Sequence, residues 1–228
     1  MKISVIIPTL NEEGRITRTL SCVGKGVEII VVDGGSSDRT VELAGSSGVK
    51  VVISEERGRA KQMNLGAAMA TEEILLFLHG DTLLPEDYRE SIIEALRNSN
   101  AIAGAFELAI EGEEKSLRFV ETMVKWRSKV FSLPYGDQGI FIKTSVFREL
   151  GGFADLPIME DFEFVQRLKR RGKIIIVPRA VVTSGRRWRK LGVWKTTLIN
   201  QIVILGYYLG IPPRVLATIY RSKRLTGN

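Results

Sequence analysis

The chain has 228 residues, 44% hydrophobic and 26% charged, with a formal net charge of +7. These fractions exclude a disordered or collagen-like chain and suit a single domain with a sizeable core. The positive balance points to anionic partners, and the single cysteine (Cys22) and single histidine (His79) exclude an internal disulfide, a multi-cysteine zinc cage and a histidine-rich metal site.

In chain order, residues 3–7 read as a buried strand. Asn11 is expected to cap a helix with Glu12 and Glu13 in its first turn. Residues 28–32 form a second strand, and Ser37 or Asp38 caps a helix running to Ala44. Residues 50–53 are a third strand, followed by a helix over 59–70. Residues 74–78 are a fourth, and Pro85 opens a helix ending near Arg97. Such alternation predicts an α/β fold, with a mostly parallel central sheet and helices on both faces. Ligands then bind beyond the carboxyl ends of the strands.

The second half is less regular. Strands are expected over 101–110, 139–143, 173–177 and 181–183, and helices over 116–131, 144–150 and 160–171. The tail from 193 to 219 reads as apolar helix broken at Pro212-Pro213. The predicted organisation is one domain: residues 1–98 as a nucleotide-sugar-binding half, 99–190 as an acceptor and catalytic half, and 191–228 as the helical tail. Only Met1 and Lys2 precede the first apolar run, so no secretory signal is expected. The longest apolar run, 202–211, is about half the ~20 residues of a membrane span. The expected location is the cytoplasm, with the inner face of the membrane as a place to rest.

Two polar clusters sit at strand ends. Asp33, followed by Gly34 and Gly35, can accept hydrogen bonds from a base or ribose, and equally fits a tight turn capping the next helix. Asp81, after His79 and Gly80, is a hard oxygen ligand suited to Mg²⁺ or Mn²⁺ on a diphosphate, and equally fits a loop cap. Glu160, Asp161 and Glu163 open a helix, where the dipole favours acids; Asp161 is a general-base candidate if this helix faces the cleft. Basic clusters around Arg57, Arg59 and Lys61 and around Arg186, Arg187, Trp188, Arg189 and Lys190 fit either a leaving diphosphate or a solvated cationic face.

Taken together, the motifs resemble the family 2 glycosyltransferases, which adopt the GT-A fold. The resemblance starts at Ser4-Val5-Ile6-Ile7-Pro8-Thr9-Leu10-Asn11-Glu12-Glu13 and continues through Val31 to Thr40, Asn64-Leu65-Gly66-Ala67 and Phe77-Leu78-His79-Gly80-Asp81-Thr82. It then runs through Gly136-Asp137-Gln138-Gly139-Ile140-Phe141, Gly151-Gly152-Phe153 and Glu160-Asp161 to Arg186-Arg187-Trp188. The short length and the segment before Trp188 look most like the subfamily found beside radical-SAM and selenium-domain proteins.

The resemblance implies a sugar nucleotide donor, UDP- or GDP-linked, and an inverting, metal-dependent hexosyl transfer to an acceptor hydroxyl. Pro8, Leu10 and Glu12 would line the nucleotide pocket and Asp33, with Gly35, would hold the base. Asp81 would bind Mn²⁺ or Mg²⁺, with His79 and Gly80 beside the diphosphate. Arg59 and Lys61 would supply charge where many members have an Arg at the position of Met63. Asp161 would be the catalytic base, with Glu160 beside it, while Asp137, Gln138, Arg187 and Trp188 would contact substrate. His79 stands where the family's first metal-site Asp usually stands.

A sugar nucleotidyltransferase is the nearest rival, but its Gly-rich loop is missing after Pro8. A non-catalytic, basic nucleic-acid or membrane-surface protein is the other. No helix-turn-helix, zinc-finger or ribonucleoprotein signature supports nucleic acid, which is not expected as a partner. In the tail, Trp194, Ile199, Ile202, Leu205 and Tyr208 precede Arg214, Arg221, Lys223 and Arg224. That pattern fits an interfacial helix on anionic lipid, which would make a lipid acceptor attractive beside a small-molecule one. It also fits a helix closing the core or a homodimer contact.

Overall fold

The computed structural model describes residues 1–98 and 100–225; the side chains of Arg221, Lys223 and Arg224, counted with the tail above, lie outside what it describes. The amino-terminal half lays down β1 (Ile3–Thr9), α1 (Ile16–Val23), β2 (Glu28–Asp33), α2 (Thr40–Ser46), β3 (Lys50–Ile53), α3 (Arg59–Met69), β4 (Ile74–Phe77), β5 (Thr82–Leu83) and α4 (Tyr88–Asn98). It is followed by β6 (Ala103–Ile110), α5 (Lys115–Phe131), a 3-10 turn (Gly136–Gln138), β7 (Ile140–Lys143), α6 (Thr144–Glu149), α7 (Glu160–Arg171) and β8 (Ile174–Thr183). Three helices end the chain: α8 (Arg186–Leu191), α9 (Val193–Tyr208) and α10 (Pro213–Leu225).

All eight strands join one sheet in the order β3-β2-β1-β4-β7-β6-β8-β5. The β1, β2, β3 and β4 pairings are parallel, as is β6 with β8; β7 runs antiparallel to both β4 and β6, and β5 to β8. Because β7 sits between β4 and β6, the two halves of the chain share one sheet. Alternate residues of β1 face opposite ways, as the two-residue strand period requires. Ile3, Val5 and Ile7 pack with α1, α4 and α5, while Ile6 packs with Ala60, Met63 and Ala67 of α3 and with Phe147, Phe164 and Leu168 from α6 and α7. A third cluster of Met159, Phe162, Val203 and Leu216 fastens α9 and α10 over the start of α7.

Two family-like motifs turn out to be packing devices. A Cβ on Gly66 would lie 2.5 Å from Ile6 Cγ2, so glycine lets α3 lie close on β1. Asn64 exchanges two hydrogen bonds with the Phe153 backbone, at 2.8 and 2.9 Å, which ties α3 to the Gly151-Gly152-Phe153 turn.

Three local expectations are corrected. Asn11 does not cap a helix. It takes a left-handed φ of 55°, which Asn tolerates better than most residues, and its Oδ1 accepts from Ser37 N at 2.9 Å. The first helix starts only at Ile16, so Glu12 and Glu13 lie in the loop. Residues 173–177 and 181–183 are not two strands but one, in which Pro178 and Arg179 are passed over where the register shifts between Phe106 and Glu107. Proline has no N–H for the ladder, and a bulge accommodates it.

Candidate active site

A cleft of about 530 Å³ opens beyond the carboxyl end of β4, walled by α7, α8, α9 and the turn before β7. Its size is that of a small-molecule site. Three groups of side chains meet there.

The first group pairs like charges. Glu12, on the loop after β1, and Asp81, after β4, both face Arg186 at the start of α8. One guanidinium nitrogen of Arg186 donates to both Glu12 oxygens, at 2.8 and 2.6 Å, and to Asp81 Oδ2 at 3.2 Å. Burial, and then the facing Asp81 charge, push the Glu12 carboxyl up against the pull of Arg186. The two carboxylates thus form a seat for a cation, filled here by the guanidinium. Gly80 makes the approach tight: a Cβ there would lie 3.0 Å from Thr9 and 3.4 Å from Glu12.

The second group joins the sheet's two halves. Arg59, at the start of α3, bonds the buried Glu160 carboxylate and lays Nη1 3.3 Å from His79 Nε2. A guanidinium only donates, so Nε2 accepts and Nδ1 carries the proton. Burial and then the Arg59 charge hold the His79 imidazole down at about 4, leaving it neutral at pH 7. Asp161 accepts from Gly136 N at 2.7 Å through Oδ2 and from Phe162 N at 2.8 Å through Oδ1. A Cβ on Gly136 would sit 3.0 Å from Asp161 Oδ2 and 3.3 Å from His79 Nε2, so glycine brings these groups together. Met159, just ahead of the two acids, holds a φ of 68°, local strain of the kind that gathers at functional sites. Next to them, Asp137 Oδ1 is buried and has no hydrogen-bond partner among the described residues. Burial pushes the Asp137 carboxyl up to about 6, with Arg127 opposing and Asp161 adding to the rise.

The third group comes from the end of the chain. Arg187 donates to the Tyr220 hydroxyl and to Asn200 Oδ1, and its guanidinium carbon stands 4.2 Å from the Tyr220 ring centroid. Trp188 lines the same space, and its Nε1 is buried without a hydrogen-bond partner among the described residues.

The cleft therefore gathers Glu12, Arg59, His79, Asp81, Asp137, Asp161, Arg187 and Trp188, together with Arg186 and Lys190 of the basic cluster, and leaves the other residues singled out from the sequence off its lining. Asp33 is buried and fully occupied by its own turn: Oδ1 accepts from Gly35 N and Ser36 N, and Oδ2 from the Thr9 and Ser36 hydroxyls. Pro8 is buried at the end of β1, and Leu10 is exposed beyond it. Lys61 pairs with Glu56 and Asp155. Gln138 is a buried hub, donating to Phe106 O and accepting from Arg127, Ser128 and Tyr135 N. Glu160 is spent on Arg59. The sequence reading missed Tyr135, Asn200 and Tyr220, all on the lining. In the sequence Arg186 and Lys190 stand out only as part of a basic cluster that fits a solvated face equally well.

For a divalent ion the donors near one another are the Asp81 and Glu12 oxygens, which share Arg186. Among the described residues no set of three or more acid, His or Cys side chains is poised as a metal cage. The arrangement fits a hard cation that arrives with a diphosphate and keeps phosphate and water oxygens, as Mg²⁺ commonly does.

The fold is an α/β sheet with a charged cleft at its strand ends. The glycosyl transferase family 2 profile matches residues 4–150, and the chain belongs to that family; its fold is GT-A. A probable glycosyltransferase of Bacillus subtilis, YdaM, is 26% identical over 98% of this chain and 59% of its own length. A dolichol-phosphate mannosyltransferase of Pyrococcus furiosus is 34% identical over 45% of this chain and 32% of its own. The chain thus spans well under two thirds of these relatives. Among solved structures, the mannosyltransferase PcManGT from Pyrobaculum calidifontis, in complex with GDP-Man and Mn²⁺, superposes with a TM-score of 0.70 at 20% identity, over 99% of this chain and 70% of that one.

Proposed function

We propose that the chain moves a hexose from a UDP- or GDP-sugar to an acceptor hydroxyl, with inversion at the anomeric carbon. The observation that carries this reading is the cleft itself: the Glu12–Asp81 cation seat faces the Asp161–Asp137 pair, with Arg186, Arg187 and Lys190 on the remaining side. The donor diphosphate lies at Asp81 and the acceptor enters over Asp161. Asp81, with Glu12, would hold a Mn²⁺ or Mg²⁺, which supplies Lewis-acid stabilisation of the departing diphosphate. The Mn²⁺ and GDP-Man held by the Pyrobaculum enzyme support this assignment of donor and metal.

Asp161 takes the proton of the acceptor hydroxyl as that oxygen attacks the anomeric carbon. Two backbone N–H groups orient its carboxylate, and the carbon–oxygen bond to the diphosphate breaks on the opposite side. Arg186 and Arg187 offset the charge that develops on the leaving group. Asp161→Asn is expected to keep the thermal shift given by donor and Mn²⁺ while turnover falls about 10²–10⁴-fold. Near-normal turnover would sink the assignment. A specific observation favours Asp137 as the alternative base: its unpartnered oxygen, with a carboxyl pushed up to about 6, is near the value that suits proton transfer at neutral pH. Under that reading Asp137→Asn, not Asp161→Asn, abolishes turnover.

The donor class is tested by a thermal-shift panel of UDP- and GDP-sugars with Mn²⁺, Mg²⁺ or EDTA. A ligand at about 100 times its Kd adds about 2.7 kcal/mol, worth several degrees at roughly 2–4 °C per kcal/mol for a domain of this size. A shift from one nucleotide that EDTA removes supports the reading, and no shift with any of them counts against it.

A further inference from the structure

The largest exposed apolar side chains gather on two helices. On α5, Phe119, Met123, Trp126 and Val130 follow one another at helical spacing and are each about half exposed. Phe131 extends the stripe. On α9, Trp194, Leu198, Leu205 and Tyr208 do the same and are each well over half exposed. A side chain on a globular helix is normally turned inward at such spacing. Here each helix also keeps a second apolar face toward the protein: Leu117 and Val120 on α5, and Ile199 and Val203 on α9, are buried.

The two stripes form one surface. Phe119 and Trp194 touch at one end, with ring centroids 5.7 Å apart. At the other end α7 bridges both helices: Lys169 donates to Phe131 O and Gln166 to the Tyr208 hydroxyl. The helices therefore run side by side in the same direction. Seventeen residues of α5 extend about 25 Å at 1.5 Å per residue. A continuous apolar patch of this extent is rarely left uncovered in a soluble monomer.

Charge says what covers it. Glu163 is the last acidic residue of the chain, so every charged side chain of α8 and α9 is basic. Lys195 is exposed beside Trp194. The one acid of α5, Glu121, is turned inward to accept from Ile110 N at 2.6 Å, while Lys125 and Lys129 each close on the Glu107 carboxylate at 2.8 Å, two cations on one acid, which leaves this edge net positive. A second copy docked here about a twofold axis would set net positive charge against net positive charge, since Glu107 is already held by its own two lysines. An anionic bilayer meets both needs, since aromatic side chains and Lys or Arg are the residues that seat a helix at the lipid interface.

We propose that the α5–α9 face is a docking surface for anionic phospholipid, with both helices lying in the plane of the headgroups. No helix among the described residues is long and apolar enough to cross a membrane. The inner side of α9 carries Asn200, Val203 and Ile204 into the cleft. Under the transfer reading proposed above, docking therefore brings the acceptor side of the cleft to the lipid surface and suits a lipid-linked acceptor; the docking itself does not depend on that reading.

The test is co-sedimentation of the full chain with vesicles of phosphatidylcholine alone and of phosphatidylcholine with phosphatidylglycerol. Binding is expected only to the anionic vesicles, weakening with salt, with a blue shift of tryptophan emission because Trp126 and Trp194 are two of three tryptophans. The double variant Trp126→Glu, Trp194→Glu alters exposed positions outside the cleft. It is expected to bind vesicles on the order of 100-fold more weakly, about a factor of ten for each aromatic burial lost, with its melting temperature and its response to donor nucleotide retained. No binding to anionic vesicles, or equal binding by the double variant, overturns the proposal. So does a concentration-dependent dimer that the double variant dissolves and vesicles leave intact. A failed donor panel with intact vesicle binding removes the transfer reading alone.

Discussion

The loops that follow β2 and β4 begin alike, each with an acid beside glycine at the end of an apolar parallel strand, and they end differently. After β2, Asp33 is satisfied within its own neighbourhood by Thr9, Gly35 and Ser36. After β4, Asp81 is held by a guanidinium from far along the chain, Arg186 being 105 positions away, and His79 by the Arg59 guanidinium at the start of α3. A carboxylate offers about four acceptor positions. When the local turn fills them, the acid is part of the scaffold. When distant and exchangeable cations fill them, a ligand can take their place. The second loop also carries unrelieved electrostatic tension, visible in the raised Glu12 carboxyl and the depressed His79 imidazole.

The largest effect that would separate the loops is on turnover. Asp81→Asn keeps a similar shape but removes the charge that would face metal and diphosphate. Its turnover is expected to fall about 10²–10³-fold, the usual consequence of losing one electrostatic stabiliser, while its melting temperature stays near that of the parent. An intact rate would erase the distinction between the loops. Asp33→Ala should do the reverse in stability. It strands two backbone N–H groups and two hydroxyls near the core, for a loss of about 2–4 kcal/mol, read as a lower melting temperature. Asp33→Asn is the milder control, because its oxygen still serves Gly35 N and Ser36 N while the two hydroxyls can turn to accept from its amide. A parent-like melting temperature for the alanine variant would mean that the turn does not depend on this acid.

The contrast also explains what could be read in the sequence. Strands β1, β2 and β4 are legible to within two residues because short, mostly buried apolar runs between turn signals leave no other period to fit. Strand β3, though exposed at both ends, keeps the β-branched run Val51-Val52-Ile53. Asp81 and Asp161 were legible as acids at a strand end and a helix start. Whether Asp33 and Gln138 face a ligand was not, since sequence gives adjacency and not the direction of a side chain; both are turned into their own surroundings. Arg186 gained its place through β5, a strand of two residues whose pairing with Val182 and Thr183 carries α8 to the cleft. So short a strand has no periodicity to detect. Asn200 and Tyr220 reach the cleft through the packing of α9 and α10 on α7, and Tyr135 through its ring contact with Phe162 of α7, contacts set by shape rather than by spacing.

Tension in the second site makes a pH prediction. The Asp137 carboxyl stands at about 6 in the fold against an ordinary 3.8, so between these values the folded state holds a proton that the unfolded chain releases. Stability contributed by the neutral acid is full below pH 4 and is lost as pH rises through 6. Asp137→Asn removes that loss. It is expected to melt higher than the parent at pH 7–8, with a gain in stability on the order of 3 kcal/mol, and to match it near pH 4. A difference that does not change with pH would show that burial does not strain this acid.

The smallest effect is the sharpest test of the exchangeable seat. Arg186 bonds Glu12 and Asp81 at the position where two carboxylates would otherwise repel. A free divalent ion must compete with that guanidinium before it reaches Asp81. Arg186→Gln leaves both acids in place and removes the competitor, so Mn²⁺ binding without nucleotide should tighten by about tenfold, equivalent to ~1.4 kcal/mol. The measurement is the electron paramagnetic resonance signal of free Mn²⁺ during titration of the protein, which reads occupancy and not catalysis. Turnover should move the other way, since the diphosphate loses one of its cations. If Mn²⁺ binds the variant no more tightly than the parent, Arg186 is not holding the seat, and Asp81 and Glu12 are arranged for something other than a metal.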